Sequence, residues 1–274
     1  QKHLPSFPYR KITVRNLMNH TSGLPEYFEI ADRDMNLMDT LTNERMLELL
    51  AIRKPALEFN PGDRFSYCNT NYTTLASVIE QVSGMTCDKF FYSRIAKPLG
   101  MTNSYIYDLT MKTYPRSRVF GIQYAGGKAL LNDLVAFDGI VGDGNVYSST
   151  EDLLRWDQAL YTEKLVKRET FREALTAPRL NDGSMSTYGF GWSIDGADRY
   201  SHSGGWAGFS TFIDRRVKTR QTYIMLDNSA NWRAIALVRK ILDGESFGLP
   251  VTQMITNVNL VDGTGLPAYS ASVR

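Results

Sequence analysis

The hydrophobic pattern changes period once along these 274 residues, and that change limits the folds open to the chain. Before about Thr187 the apolar residues recur mainly at helical spacing; after it they fall in short runs rich in aromatic and β-branched residues. ITVRNLMNHTSGLPEY predicts a short helix N-capped by Thr13, with Val14, Leu17 and Met18 on one face, stopped around Gly23 and Pro25. NERMLELLAI predicts a second, with Met46, Leu47, Leu50 and Ala51 buried. From about Asn71, the spacing of Leu75, Val78, Ile79 and Val82 predicts the clearest amphipathic helix of the chain, ending at Gly84. CDKFFYSRIAKPLG continues helical and is closed by Pro98 and Gly100. Residues 105–141 read as loops and short strands. In GDGNVYSSTEDLLRWDQAL, Ser149 and Asp152 are spaced as a capping box ahead of a helix carrying Leu153, Leu154, Trp156 and Leu160. YGFGWSID, AGFSTFIDRR and TRQTYIMLDN read as strands, the last two as a hairpin across a VK turn, and ANWRAIALVRKILDG as a helix packed on them. Helices, then an antiparallel sheet, then a closing helix make an α+β fold.

Hydrophobic residues make up 43% of the chain, enough for a sizeable core. The formal charge of +2 comes from basic and acidic residues mixed along the sequence, which excludes a nucleic-acid surface built on a basic block. No apolar run approaches the ~20 residues of a membrane helix. Cys68 and Cys87 make no disulfide framework and read as free thiols, and no Cys/His cluster has zinc spacing. Neither metal nor cofactor is expected, since a lone GxG in GDGN does not indicate a nucleotide site. The 12% aromatic content suits a broad groove for an organic or peptidic ligand, or simply a core.

Two short stretches could carry chemistry. In SYCN, Tyr67 and Asn69 share a face if the stretch is extended, offering a phenol as proton acceptor, provided a cation lowers its pKa, and an amide to orient a ligand. The alternative is an Asn69 N-cap with Tyr67 merely packed. In YSHSGGWAGF, glycines after His202 either form a turn or bulge, or let a substrate approach the strand so that its N–H groups polarise a carbonyl. GDGN at 142–145 reads as a loop leading into a capped helix, and His3 and His20 read as structural.

In order, ITVRNLMNHTSGLPEY, FSYCNTNYTTLASVIEQVSG, IAKPLGMTNS, GDGNVYSSTEDLLRW, YGFGW and HSGGWAGF resemble the serine β-lactamase and penicillin-binding-protein-like hydrolases. The likeness is to the branch of class C β-lactamases, DD-peptidases and esterases, and spans about Lys2 to Gly244. It implies a β-lactamase/transpeptidase-like fold, with an antiparallel sheet flanked by helices and a mainly helical subdomain, and an acyl-enzyme mechanism in the cleft between them. The substrate it implies is an amide, peptide or ester, D-amino acid substrates included. Tyr67 matches the family's proton-transfer tyrosine and Asn69 its substrate-orienting asparagine. His202, Ser203 and Gly204 match its third motif, Lys-Thr-Gly in better-known members and His-x-Gly in many relatives. The Gly205 N–H matches one oxyanion donor. Within HTSG, His20 matches a structural helix end.

The family's nucleophile lies in a Ser-x-x-Lys motif some tens of residues before HTSG, and no serine here is followed three positions later by lysine. The chain is therefore expected to be a fragment of a longer fusion, lacking its nucleophile and inactive alone. Residues 1–248 are expected to form the β-lactamase-like domain. Residues 249–274 are expected to be a linker and the start of a D-aminoacylase-like amidohydrolase domain, which QMITNVNLVDGTGLPAYSASVR resembles. Such an amidohydrolase would be a covalent partner. The competing expectation is a non-catalytic ligand-binding domain, or an accessory domain fused to a metal-dependent amidohydrolase. The resemblance also implies a bacterial periplasmic or secreted location.

Overall fold

The computed structural model describes residues 2–31, 40–111 and 118–244. Its first part is helical: α1 (Val14–Met18), α2 (Tyr27–Ala31), α3 (Asn43–Arg53) and α4 (Asn69–Ser83). Thr13 caps α1 as its sequence predicts, accepting from the Asn16 amide at 3.2 Å while the Asn16 side chain accepts from the Thr13 N–H at 3.0 Å. Leu17, Leu24, Tyr27, Met46 and Leu50 form the core between these helices, and on α3 Leu49 takes the buried place expected for Ala51.

Helix α4 departs from its predicted face. Its buried residues are Thr70, Asn71, Thr73, Thr74, Ala76 and Ser77, whereas Leu75, Val78 and Ile79 are half-buried and Val82 is 63% exposed. Small side chains let neighbours approach this helix closely. The Asn43 amide reaches the carbonyls of Thr73 (3.0 Å) and Val141 (2.8 Å) across it, and Gly142 lies where any Cβ would overlap the Tyr72 carbonyl and Ala76. Hydrogen bonding and size set the buried side here; periodicity of apolar residues does not report them.

Next come α5 (Cys87–Phe91), a π-turn (Tyr92–Ala96) and α6 (Lys97–Leu99). Pro98 lies inside this last turn instead of closing the helix. It has no N–H for the ladder, and the wider turn precedes it; Gly100, at φ 66°, makes the closure. Strand β1 (Tyr105–Ile106) pairs with β4 (Val146–Tyr147), and β2 (Ile122–Ala125) with β3 (Lys128–Leu131), so residues 105–141 are loops and short strands where described. Helix α7 (Thr150–Ala159) forms only half the predicted box. Ser149 accepts from the Asp152 N–H, but the Asp152 carboxylate accepts from the Asn103 N–H at 2.7 Å and Ser104 at 2.9 Å. Its buried face carries Asp152 and Asp157, while Leu154 is 48% exposed.

After α8 (Arg168–Ala174) the chain builds an antiparallel sheet in the order β5 (Ser193–Ile194), β6 (Arg199–Trp206), β7 (Phe209–Arg216), β8 (Gln221–Asp227). YGFGWSID is mostly not strand; only its last part pairs with β6, because its glycines serve other contacts described below. The β7–β8 hairpin turns at residues 217–220 as expected. Asp157 of α7 pairs with Arg215 of β7, both fully buried, which fastens that helix to the sheet. Helix α9 (Trp232–Leu242) packs on β7 with Ile235 buried. The architecture is α+β, an antiparallel sheet flanked by helices. Cys68 and Cys87 are buried free thiols, and no described helix is long and apolar enough to cross a membrane. The expected second domain at 249–274 lies outside the described residues.

Candidate active site

A cleft of about 550 Å³ opens between the start of α4 and strand β6. Tyr67, Asn69, His202, Ser203, Gly204 and Gly205, the six positions singled out in the sequence, all line it.

On the helical side, Asn69 is the first residue of α4 and not its N-cap. Cys68 holds the cap position without a side-chain bond. Glu26 supplies the missing acceptor from across the fold: its Oε1 accepts from the Asn69 backbone N–H at 2.9 Å and from Asn69 Nδ2 at 3.1 Å. One amide N–H of Asn69 is thus committed, and its carbonyl remains for the cleft. Tyr67 is 44% exposed, with its ring 4.1 Å from His20 between centroids. Burial raises the Tyr67 phenol above its ordinary pKa, and the nearby Asp143 and Glu26 carboxylates raise it further. The cation that proton acceptance requires is absent from the described lining, which contains neither Lys nor Arg.

His20 ties this wall to the start of α4. It is fully buried at φ 55°, and its Nδ1 accepts from the Cys68 N–H at 3.1 Å and lies 3.0 Å from Asn71 Nδ2. Two donors on one nitrogen place the ring proton on Nε2. Burial, then repulsion from His202, pushes the His20 pKa down to about 3, so the ring is neutral. Its structural role, expected from HTSG, fits this setting.

On the sheet side, the HSGG stretch is neither turn nor bulge. Residues from Arg199 to Trp206 pair one-to-one with β7, and neither Gly204 nor Gly205 has a positive φ. Their lack of a Cβ matters for space. At Gly204 it would overlap the Thr211 hydroxyl, and at Gly205 the Trp232 indole of α9. Trp206 and Phe209 close the two-residue turn, so pairing alternates back along the hairpin and leaves Gly205 opposite Ser210 without mutual bonds. Strand β5 pairs with β6 only at Tyr200 and Ser201. The amides of Ser203 and Gly205 therefore lie on an open strand edge along the cleft.

His202 points at Tyr188, whose hydroxyl lies 2.8 Å from His202 Nε2. Burial lowers the His202 pKa. Sequence reasoning missed Tyr188, although a signal was present in YGFGW. Any Cβ at Gly189 would overlap the Ala174 carbonyl, and Gly191, at φ 77°, sits against the Tyr72 hydroxyl, so these glycines press Tyr188 into the wall. It also missed Asp143. GDGN does lead into the capped α7, but the Asp143 side chain lines the cleft and accepts from Tyr27 at 2.9 Å, and burial raises its pKa to about 6. Among the described residues, no three His, Cys, Asp or Glu side chains come together as a metal site.

The arrangement sets a phenol and an amide against a strand edge with open N–H donors, which suits binding and polarising a carbonyl. Known proteins have related sequences. Penicillin-binding protein 4* of Bacillus subtilis (strain 168) is 36% identical over 239 residues, covering 82% of this chain and 53% of that protein. A D-aminopeptidase of Cereibacter sphaeroides is 27% identical over 253 residues, covering 89% and 48%. The chain thus spans about half the length of these curated relatives. The crystal structure of a penicillin-binding protein from Bacillus halodurans shares the fold, with a TM-score of 0.72 at 24% identity over 88% of this chain and 75% of that one. Residues 1–243 match the Beta-lactamase family. The chain belongs to that family, within the serine β-lactamase and penicillin-binding-protein-like superfamily.

Proposed function

We propose that this cleft is the acyl-transfer site of a serine hydrolase acting on an amide, peptide or ester. The observation that carries the reading is the convergence of Tyr67, Asn69 and the β6 edge on one cavity. Tyr67 moves the proton, Asn69 orients the acyl group through its uncommitted amide atoms, and the Gly205 N–H polarises the carbonyl. His202, Ser203 and Gly204 form the facing wall. Relatives named D-aminopeptidase favour substrates with a D-amino acid. The nucleophile and the cation that would lower the Tyr67 pKa belong to a Ser-x-x-Lys segment that these 274 residues do not contain. On this reading the chain alone forms no acyl-enzyme. The family's location outside the bacterial cytoplasm, and a fusion through residues 249–274 to an amidohydrolase, belong to the same proposal.

The missing Ser-x-x-Lys equally favours a second reading, a ligand-binding domain without catalysis. Labelling separates the two. The natural full-length polypeptide is treated with a fluorescent β-lactam or fluorophosphonate and its peptides mapped by mass. An adduct on a serine about 40 to 70 residues before His20 is expected, with none on the 274-residue chain. Absence of any adduct from the full-length polypeptide leaves the binding-domain reading.

A further inference from the structure

The open edge of β6 has few anchors of its own. Gly204 and Gly205 carry no side chain, Ser203 before them is exposed, and β5 stops pairing at Ser201. A glycine backbone also has the most freedom to lose. Pairing with β7 holds this stretch from one side, so the side chains at its two ends, His202 and Trp206, must fix it against the rest of the site.

Trp206 is gripped twice by the helical half. Its indole Nε1–H donates to Asp138 Oδ1 at 2.6 Å, and its ring stacks on Phe28 of α2 at 5.6 Å between centroids and 21° between planes. Both grips are themselves held. Asp138 is 5% exposed and its other oxygen accepts from the Val135 N–H, so each carboxylate oxygen has a donor. Two residues on, Ile140 is buried in the helical core, and Phe28 meets Phe137 edge-on at 5.1 Å. Phe28 is also the last of three consecutive residues that each fix one point around the cleft. Glu26 fastens Asn69, Tyr27 donates to Asp143, and Phe28 carries Trp206. The first two act within the helical wall; the third reaches the sheet.

We propose that Trp206 is a positioning residue: clamped between Phe28 and Asp138, it fixes the Gly205 N–H relative to Asn69 and so sets the width of the cleft where the carbonyl is polarised. A backbone donor stabilises developing charge only if it is aimed before the reaction begins. Misplacement by about one ångström costs on the order of a hundredfold in rate. The catalytic consequence rests on the acyl-transfer reading; the clamping of the strand does not.

The clamp is tested on the 274-residue chain by ¹⁵N relaxation of the Gly204 and Gly205 amides. Order parameters of about 0.85, those of rigid backbone, are expected in the wild type, and values below about 0.6 in Trp206→Ala. Asp138→Asn offers one carbonyl oxygen to two donors, so either the indole or the Val135 N–H is left unpaired, and the same two amides are expected to loosen by a smaller amount. Glycine amides already mobile in the wild type overturn the proposal, and so does a folded Trp206→Ala in which they stay rigid; if that variant does not fold, rigid amides in Asp138→Asn overturn it. In the natural full-length polypeptide, Trp206→Ala is expected to lower the maximal rate of labelling by a fluorescent fluorophosphonate roughly tenfold, with the half-saturating concentration within about twofold of the wild type. A lower labelled fraction reacting at the wild-type rate would mean a merely structural residue and overturns the positioning role. Loosened amides with rate and labelled fraction both unchanged keep the clamp and take Gly205 out of the reaction. A wild-type polypeptide that takes no label fails the acyl-transfer reading, and the relaxation result still decides the clamp.

Discussion

The two walls of the cleft are held in opposite ways. On the helical wall the side chains are committed: His20 Nδ1 faces two donors, Asn69 is fastened twice to Glu26, and Asp143 accepts from Tyr27. On the sheet wall the amides of Ser203 and Gly205 lie on an open edge, and β6 is shaped from behind by Trp232 and Tyr188. The contrast divides the labour of the proposed reaction. Proton transfer needs one side chain held at a defined distance, which the committed wall provides. Polarising a carbonyl needs donors that have no other partner, which the strand edge provides.

The largest expected effect tests that division. Tyr67→Phe in the natural full-length polypeptide keeps the ring that packs against His20 and removes only the hydroxyl. Turnover should fall by about 10² to 10⁴, as for loss of a proton-transfer group, with KM nearly unchanged and unfolding stability within about 1 kcal/mol. Steady-state kinetics and a urea titration read both quantities. Unchanged turnover would take Tyr67 out of the mechanism and leave the helical wall a purely structural device.

A smaller effect is expected at the opposite wall. Gly205→Ala sets a methyl group where the Trp232 indole lies, so either β6 or α9 must shift. Overpacking of this kind costs about 1 to 3 kcal/mol. Trp232 is 47% exposed, and Trp232→Ala should cost less by itself and should recover much of the loss in the double variant. Urea unfolding of the four proteins gives the coupling, expected at roughly 1 to 2 kcal/mol. Additive losses would mean that Trp232 does not set the line of the strand.

The same contrast explains what could be read in the sequence. The β7–β8 hairpin, the Thr13 cap and the closing helix follow from period and capping, which are local properties; β6 does not, since its glycines read by spacing as a turn or bulge. The six cleft positions follow from motifs in a fixed order. The buried side of α4 did not follow, because Thr70, Thr73 and Ser77 are buried by size and by hydrogen bonds from distant residues such as Asn43. Asp157 of α7 is buried for a partner in β7, 58 positions on. Glu26 and Tyr188 escaped for the same reason: each acts on a residue far along the chain, and spacing carries no trace of a bond made across the fold.

The last expected effect is spread over pH and lies in how protonation acts on the committed wall. His20 has a folded pKa of about 3 against about 6.5 unfolded, lowered first by burial and then by His202. Its contribution is full above pH 6.5 and is lost as pH falls toward 3, because the unfolded chain binds the extra proton. Asp143 behaves oppositely. Its folded pKa is raised to about 6 from 3.8, first by burial, so its contribution is present below pH 3.8 and lost as pH rises through 6. Each has a slope of at most about 1.4 kcal/mol per pH unit in its window, and between pH 4 and 6 the two oppose each other. Asp143→Asn keeps an acceptor for the Tyr27 hydroxyl and removes only the titration. Relative to the wild type, the variant should therefore gain stability steadily from pH 4 to pH 6 in urea unfolding and level off above. The open backbone edge of the sheet wall titrates nothing, so the Gly205→Ala cost should stay constant over the same range. Parallel curves for wild type and Asp143→Asn would mean that Asp143 is already ionised in the folded cleft, and a carboxylate would then face the Tyr67 hydroxyl at every pH of this range.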